Sequence, residues 1–476
     1  MTRLQKLTDA ETTPLMRVLF GQSTPTPIPK DLSDPELGVG QVEWIDPGLN
    51  DSQKDAIKFA LASREIALIH GPPGTGKTYT LIELILQMLK RNLRLLVCGP
   101  SNISVDNIVE RLAPHKVPMI RLGHPARLLP SVVDHSLDVL TRTSDDAAIV
   151  QDIRKEMDSK QASIRKTRNA RERKAIYNDL RELRKDYRDR ERGCIGNLIT
   201  GSKVVLATLH GAGAFHLKNQ KFDVVIIDEA SQALEAQCWV PLLSASKAVL
   251  AGDHLQLPPT IKSSNTKTKA NKAKGGEEEK PAAAGGKSAS LETTLFDRLL
   301  DLYGPSIKRM LTVQYRMHEK INEFPSKELY EGKLVAADAV KSRLLVGLPY
   351  EVKETDDTVA PVVFWDTQGG DFPEKPEDDD VDRKAAKGAT LAESKSNEHE
   401  AMLVQQHVQC LVEAGVKSED IGVLSPYAAQ VSLQFWLRFR HRLLVAAVKL
   451  DTCRQGRLHK GGRTAATFFL FLAEAR

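Results

Sequence analysis

The sequence is poor in cysteine and in aromatic residues, and what it lacks excludes several protein classes. Its 476 residues include five cysteines, and aromatic side chains make up 5% of the chain. The cysteines are scattered, and no two of them form a C-x-x-C pair: Cys98, Cys194, Cys238, Cys410 and Cys453. This spacing argues against a zinc site and against a disulfide framework, and it suits a reducing compartment.

Apolar runs long enough for a membrane are also missing. No stretch approaches the roughly 18–20 apolar residues that span a bilayer, and the start, Met1-Thr-Arg-Leu-Gln-Lys, lacks the apolar core of a signal peptide. We therefore expect no membrane partner and a location in the nucleus or the cytoplasm. The net charge of +5 is mild, so it permits a nucleic-acid partner without requiring one.

The composition and the order of apolar segments predict an α/β protein. Hydrophobic residues make up 41% of the chain and charged residues 27%, which is ordinary for a globular protein, and the length suggests two or three domains. Apolar runs alternate with helix-like segments, which predicts a parallel sheet with helices on its faces. The predicted buried strands are residues 66–69, 95–100, 203–208, 222–228 and 247–252, with one strand of a second α/β unit at 421–426.

Three segments depart from this alternation. Residues 152–192 are dense in charges of both signs, which predicts long solvated helices within an insertion at 134–200. Two interpretations stay open: an exposed hairpin held by salt bridges, or a basic face that contacts a phosphate backbone. Residues 262–290 are of low complexity and predict a disordered loop, and residues 369–395 predict a polar insertion.

The most informative motif is a complete phosphate-binding loop between a predicted strand and a predicted helix. It runs Gly71-Pro72-Pro73-Gly74-Thr75-Gly76-Lys77-Thr78. Its glycines let backbone N–H groups close around phosphate oxygens, and the N-terminus of the following helix favours anions. Lys77 is placed to reach the β- and γ-phosphates, and Thr78 to ligate Mg²⁺. The motif in this context predicts a P-loop NTPase.

A second phosphate-site element follows about 150 residues later. Val224-Val-Ile-Ile forms an apolar strand that ends in Asp228 and Glu229. Asp228 can hold Mg²⁺ opposite Thr78, and Glu229 is placed to orient and deprotonate the attacking water. This division of roles suits phosphoryl hydrolysis, where positioning and charge neutralisation dominate.

Two further motifs supply candidates whose roles the residues alone leave open. Gln256, in Ala251-Gly-Asp-His-Leu-Gln-Leu-Pro-Pro259, could hydrogen-bond the γ-phosphate or the lytic water. Arg316, in Leu311-Thr-Val-Gln-Tyr-Arg-Met-His318, could act as a finger on the γ-phosphate, or it could form an interdomain salt bridge. Tyr315 could stack on adenine or pack in the core.

These motifs occur in the order found in superfamily 1B helicases of the Upf1-like group, which the sequence resembles over about residues 1–435. The segments that carry the resemblance are Leu49-Asn-Asp-Ser-Gln-Lys-Asp-Ala-Ile57, GPPGTGKT, Gly99-Pro-Ser-Asn-Ile-Ser-Val-Asp106, VVIIDEASQALEA, AGDHLQLPP and LTVQYRMH. The resemblance implies two RecA-like domains, at 49–335 and 336–435, with ATP in the cleft between them and single-stranded DNA or RNA across their tops.

The resemblance also implies roles for individual residues. Gln53 reads adenine, while Gln256 and Arg316 join the phosphate loop, Asp228 and Glu229 around ATP and Mg²⁺. The backbone of the bound nucleic-acid strand is contacted by Pro100, Ser101, Asn102 and Thr208. Proteins of this group move 5′→3′ along one strand and unwind duplexes, and the resemblance suggests replication-associated or ribosome-associated proteins as partners. The start of the second RecA-like domain is matched by Asn397, Glu398, Glu400, Ser425, Pro426, Tyr427 and Gln430.

The sequence departs from the family pattern in two places. The β-barrel that precedes the first domain in the family is missing, so residues 1–48 are expected to be a stalk remnant and linker. The family's V-D-G-F-Q-G-R-E and T-R-A motifs are not found after Gln430; residues 436–476 form a basic tail instead, for which we expect a frame shift or retained intron and an incomplete second domain. A second interpretation therefore stays open, a chain that binds ATP and nucleic acid but hydrolyses little, and a third is an ordinary P-loop ATPase or kinase.

Overall fold

A computed structural model describes residues 12–28, 42–143, 145–166, 169–261, 292–376, 395–425, 427–433, 449–452 and 470–472. The chain divides into two compact units, Met1–Thr312 and Val313–Arg476. Several predictions lie outside the described residues: the disordered loop at 262–290, most of the insertion at 369–395, Pro426, and most of the tail at 436–476. Among the helices within the described ranges, none combines the length and the apolarity that a bilayer span requires.

The first unit is built on a seven-stranded sheet in which every pairing is parallel. Its strands are β1 Ile66–His70, β2 Leu95–Gly99, β3 Met119–Leu122, β4 Val204–Thr208, β5 Phe222–Ile227, β6 Ala245–Gly252 and β7 Lys308–Met310. They lie in the order β3-β4-β2-β5-β6-β1-β7. The prediction of an α/β fold with a parallel sheet is confirmed.

Helices connect these strands and cover both faces of the sheet. They are α1 Pro14–Leu19, α2 Asp51–Ala62, α3 Lys77–Lys90, α4 Asn102–Leu112, α5 Leu137–Thr143, α6 Asp145–Lys166, α7 Ala170–Gly201, α8 Glu235–Leu242 and α9 Leu295–Tyr303. Alternate side chains of each strand enter opposite cores. Leu68 packs in the core that includes Leu15 and Phe296, while Ile69 packs in the core that includes Ile57 and Leu84.

Helices α5 to α7 occupy the segment for which the sequence predicts a helical insertion. Helix α6 has 22 residues and α7 has 32, and the two pack against each other. Lys160 and Asp179 form an ion pair of 2.7 Å between them, and Arg190 pairs with Asp186 within α7 at 2.9 Å. These pairs fit the salt-bridged interpretation; contact with a phosphate backbone stays a prediction.

The second unit consists of short elements. They are β8 Val313–Gln314, α10 Glu319–Leu329, β9 Val335–Ala336, α11 Asp356–Val359, β10 Lys375–Pro376, β11 Lys395–Ser396, α12 Glu398–Glu413, β12 Ile421–Ser425, β13 Lys449–Thr452 and β14 Leu470–Leu472. Strand β8 pairs with β9, and β10 pairs with β11. Strand β12 lies between β13, which is parallel to it, and β14, which is antiparallel.

Two features of the second unit differ from the sequence analysis. The predicted first domain extends to residue 335, whereas the compact units divide after Thr312. The pairing of β8 with β9 explains the difference, because it closes residues 313–336 on themselves. The sequence predicts a basic tail at 436–476 without regular strand–helix alternation; within the described part of that tail, β13 and β14 hydrogen-bond to β12.

Candidate active site

The phosphate loop joins the end of β1 to the start of α3 at the carboxyl edge of the sheet. Its backbone conformation requires glycine, since φ is +75° at Gly74 and +72° at Gly76. The N–H of Gly71 donates to the carbonyl of Gly252 on the neighbouring strand at 3.0 Å. The hydroxyl of Thr75 donates to the carbonyl of Pro72 at 2.7 Å. Helix α3 has no side-chain cap, so its first N–H groups suit an anion.

Lys77, the first residue of α3, meets the two acids that follow β5. Its Nζ lies 2.5 Å from Glu229 Oε1 and 3.6 Å from Asp228 Oδ1. Burial of the ammonium acts to lower its pKa, but the carboxylates of Asp228, Glu229 and Asp253 outweigh that effect, so the pKa of Lys77 is raised. The structure thus brings Lys77 to two adjacent acids that lie 151 and 152 positions later in the sequence.

Asp228 and Glu229 differ in environment although they are neighbours. Asp228 is buried, and its carboxylate accepts the N–H of Glu229 at 2.9 Å. Burial raises the pKa of Asp228 to about 6; the Lys77 ammonium opposes this rise, and the Glu229 charge adds to it. Glu229 is more exposed, and its φ of +52° lies in the left-handed region, which is sparsely populated by residues other than glycine and is often found at functional sites.

The donor set is suited to Mg²⁺. The magnesium ion prefers hard oxygen ligands and binds few protein groups directly when phosphates are present. Asp228 supplies a buried carboxylate. The hydroxyl of Thr78, in the first turn of α3, donates to no protein group among the residues that the structure describes. Both predicted metal ligands therefore fit the ion chemically.

Gln53 braces the phosphate loop from α2. It is 4% exposed, and its Oε1 accepts the N–H of Asn50 at 3.0 Å in a capping box. Its Nε2 donates to the carbonyl of Thr75 at 3.1 Å. The carboxamide therefore links the start of α2 to the loop. An amide nitrogen has two N–H groups, so recognition of adenine, which the resemblance assigns to Gln53, stays a prediction.

Gln256 is held by a buried pair that the sequence analysis missed. Its Nε2 donates to Asp253 Oδ2 at 2.7 Å, while Asp253 Oδ1 lies 2.8 Å from Nε2 of His70, the last residue of β1. Both His70 and Asp253 are buried. A signal was present in the sequence, because each is a polar residue at the end of an apolar strand. Such residues lie at the carboxyl edge of a parallel sheet, where sites form.

Tyr315 and Arg316 belong to the second unit, in the turn after β8. The buried side chain of Gln314 shapes this turn: its Oε1 accepts the N–H groups of Arg316 and Met317, each at 2.7 Å. Tyr315 is 39% exposed, which argues against core packing within its own unit. Arg316 is exposed and forms no ion pair with the described residues of that unit.

The residues that the resemblance assigns to nucleic acid meet at one edge of the sheet. Ser101 caps α4 by accepting the N–H of Ser104 at 3.1 Å, and Asn102 begins the helix. Thr208 ends β4 and pairs in register with Gly99 of β2, directly before Pro100. The parallel pairing therefore places Thr208 beside the Pro100–Asn102 segment.

Comparison with known proteins matches two parts of the chain. Two protein-family models, each described as an AAA domain, match residues 48–264 and residues 291–443. The DNA polymerase alpha-associated DNA helicase A of Schizosaccharomyces pombe is 47% identical over 403 residues, which are 85% of this chain and 56% of that protein.

Two further relatives extend the comparison. The DNA-binding protein SMUBP-2 of Rattus norvegicus is 43% identical over 434 residues, covering 90% of this chain and 40% of that protein. A regulator of nonsense transcripts 1 homolog of Neurospora crassa is 34% identical over 390 residues, covering 81% and 30%. The chain spans about half the length, or less, of these relatives.

Proposed function

The chain belongs to the Upf1-like group of superfamily 1 helicases, and we propose that it hydrolyses ATP. We infer that hydrolysis moves it 5′→3′ along single-stranded DNA or RNA and unwinds duplexes. The observation that carries the proposal is the pairing of Lys77 Nζ with Glu229 Oε1 at 2.5 Å, beside Asp228. It unites the phosphate-binding lysine with the two acids that hydrolysis requires.

The pairing suggests how these residues share the work. A γ-phosphate would compete with the carboxylates for the Lys77 ammonium, because all of them are anions. Once Lys77 contacts phosphate, Glu229 Oε1 loses its partner and can accept the proton of the attacking water, while Oε2 still accepts from the amide of Gln232 at 3.2 Å. Mg²⁺, held through Thr78 and Asp228, would neutralise developing phosphate charge. Asp253 would keep the amide of Gln256 oriented toward the γ-phosphate or the water.

The remaining site residues keep the roles suggested by the residues themselves, for Tyr315, and by the family resemblance, for the others. Gln53 contacts adenine, Tyr315 stacks on it, and Arg316 acts on the γ-phosphate. Pro100, Ser101, Asn102 and Thr208 bind the backbone of one strand, for which small polar groups and backbone N–H donors suffice. We propose nucleic-acid processing in the nucleus or the cytoplasm, with replication-associated proteins among the partners, since one relative is named for its association with DNA polymerase alpha.

Steady-state ATP hydrolysis by the full chain, with and without single-stranded DNA or RNA, tests the proposal. We expect nucleic acid to stimulate turnover and Lys77→Ala to abolish it. Lys90→Ala is the matched control, because Lys90 ends the same helix and its exposed side chain makes polar contacts only with Glu43 among the described residues, with the carbonyl at 3.2 Å and the carboxylate at 3.8 Å. Turnover that persists in Lys77→Ala would refute the site. Binding of ATP without turnover would favour a non-hydrolysing fragment.

A further inference from the structure

Arg121 is the largest fully buried side chain of the described residues. It lies in β3, beside the segment that the resemblance assigns to nucleic acid. A buried cation is costly unless an opposite charge and hydrogen bonds compensate it. Here Nε donates to Asp106 Oδ1 at 2.7 Å, Nη2 donates to Asn102 Oδ1 at 3.0 Å, and Nη1 donates to the carbonyl of Leu122. Each nitrogen of the guanidinium is therefore satisfied.

The bond to Asn102 determines which way that carboxamide faces. A guanidinium has only donors, so it can hydrogen-bond the oxygen of an amide but not the amide nitrogen, which is also a donor. With Oδ1 held by Arg121, the Nδ2 group of Asn102 points away from it, and Nδ2 donates to no group among the residues described. Without Arg121, the amide of Asn102 could rotate and place Oδ1, an acceptor, where Nδ2, a donor, now lies.

We propose that Arg121 is a positioning residue for nucleic-acid binding: it fixes the donor face of Asn102 toward the phosphate backbone. This inference rests on the proposed function, because it concerns the strand that Asn102 would contact. A phosphate oxygen accepts hydrogen bonds and repels a carbonyl oxygen, so only one of the two amide orientations favours binding.

The surroundings of Arg121 hold it in this position. Asp106, which lies on the same helix as Asn102, accepts the N–H of Leu129 at 3.1 Å with its second oxygen. Gly123 leaves room for the guanidinium, since a Cβ there would lie 3.3 Å from Arg121 Nη1. The start of α4, strand β3 and the following loop are thus joined through one side chain.

Binding of a fluorescein-labelled oligo(dT) to the full chain, measured by anisotropy, tests the inference. Arg121→Lys keeps the charge beside Asp106, but one ammonium cannot reproduce the three-way fork. We expect the oligonucleotide Kd to rise roughly tenfold, the size of one lost charge-assisted hydrogen bond, and the Kd of a fluorescent ATP analogue to stay unchanged. A destabilised fold alone would not separate the two affinities.

Arg94→Lys is the matched control. The Arg94 guanidinium also donates to several groups, among them the carbonyls of Ile199 at 2.6 Å and Lys221 at 3.0 Å. Arg94 directly precedes β2, so it lies at the amino ends of the strands, away from Asn102. We expect this variant to lower the melting temperature and to leave the oligonucleotide Kd unchanged. An equal loss of oligonucleotide binding in both variants would overturn the proposal.

A double-mutant cycle asks whether Arg121 acts through Asn102. Asn102→Ala should weaken binding, and adding Arg121→Lys should weaken it no further; an additive loss would refute the mechanism. If Arg121→Lys does not fold, oligonucleotide binding by Asn102→Asp tests the proposal instead. The aspartate still accepts a hydrogen bond from Arg121, but it places an oxygen where the Nδ2 donor lies. This variant must bind more weakly than Asn102→Ala. Failure of the unaltered chain to bind refutes the proposed function itself, whereas binding that is insensitive to Asn102→Ala refutes only this inference.

Discussion

Gln53 lies directly against Gly76: a Cβ added to Gly76 would sit 2.7 Å from Nε2 of Gln53. The same nitrogen donates to the carbonyl of Thr75, one residue earlier in the loop. The loop conformation and the helix-capping side chain of α2 therefore depend on each other. Gly76 must lack a side chain both because its φ is positive and because Gln53 occupies the space.

We expect Gly76→Ala to displace Gln53 and to distort the phosphate loop. Nucleotide affinity should fall by at least tenfold, and stability should drop by about 1 kcal/mol or more, since alanine is strained at this φ. Fluorescent-nucleotide titration and thermal melting measure the two effects. Gly193→Ala, inside α7 with no atom within 4 Å of the added Cβ, should instead stabilise the helix by up to about 1 kcal/mol.

Glu229→Gln should separate nucleotide binding from hydrolysis. Glutamine keeps the side-chain length and can still accept a hydrogen bond from Lys77, but it cannot take a proton from water. We expect nucleotide affinity within a few-fold of the original and a kcat lower by about 10²–10⁴, the usual contribution of a general base. The exposed Glu182 on α7 provides the control, since Glu182→Gln should change neither quantity. Unchanged turnover in Glu229→Gln would remove Glu229 from the mechanism.

His254 should make the first unit sensitive to mild acid. Burial lowers the pKa of His254 to about 4. The neighbours His70 and Lys308 add to this shift, while Asp297 and Asp253 oppose it. The unfolded chain therefore binds this proton at a higher pH than the folded chain does. The stability linked to His254 is complete above about pH 6.5 and is lost as the pH falls toward about 4.

His254→Phe tests this linkage. The ring of His254 stacks on Phe296 at 5.7 Å, and its buried Nδ1 has no hydrogen-bond partner among the described residues, so phenylalanine keeps the packing without the titrating group. Urea unfolding of both proteins between about pH 7.5 and about pH 5 should show a smaller loss of free energy in the variant. Parallel pH profiles would show that His254 does not titrate on unfolding.

Limited proteolysis should attack the second unit first. Among the described residues, the core cluster of the second unit contains six buried side chains, whereas the first unit packs two large cores on the faces of one sheet. The six are Leu345, Val408, Leu411, Val416, Ile421 and Val423. Fewer buried apolar contacts lower the free energy of local opening. We expect mass spectrometry to find a resistant fragment within residues 42–312 after the region beyond Asn397 has been cleaved. Equal resistance of both regions would contradict this expectation.

The sequence predicts the five central strands of the seven-stranded sheet better than its two outer strands, β3 and β7. Strands β1, β2, β4, β5 and β6 are mostly apolar, because both of their faces are buried. The charged residues Asp223 of β5 and Lys247 of β6 lie in the first half of their strands. The edge strands β3 and β7 were not predicted. Strand β3 has four residues and carries Arg121, whose buried charge is paired with Asp106 of α4, and β7 has three residues and begins with Lys308 and Arg309. Each is too short and too interrupted by basic residues to give an apolar run.

The candidate site divides in a similar way. The phosphate loop, Asp228 and Glu229 are local motifs, and the structure brings Lys77 to both acids. Gln256 is held by its near neighbour Asp253, and Asn102 is held by Arg121, 19 residues away on another strand. The contact of Asp253 with His70 could not be predicted, because the two residues end strands that are distant in sequence. His70 and Asp253 are 183 residues apart. Only the parallel register of β1 with β6 places them together, and no local pattern contains that register.

Strand β1 hydrogen-bonds only to β6 and β7, which follow it far along the chain. During synthesis on the ribosome, the phosphate loop is therefore translated long before the strands that hold it. The nascent chain carries an unpaired and mostly apolar strand until residues 245–252 and then 308–310 emerge from the exit tunnel. Exposed strands of this kind attract chaperones and aggregate. We therefore expect ATP to stabilise the first unit only after translation has passed Met310.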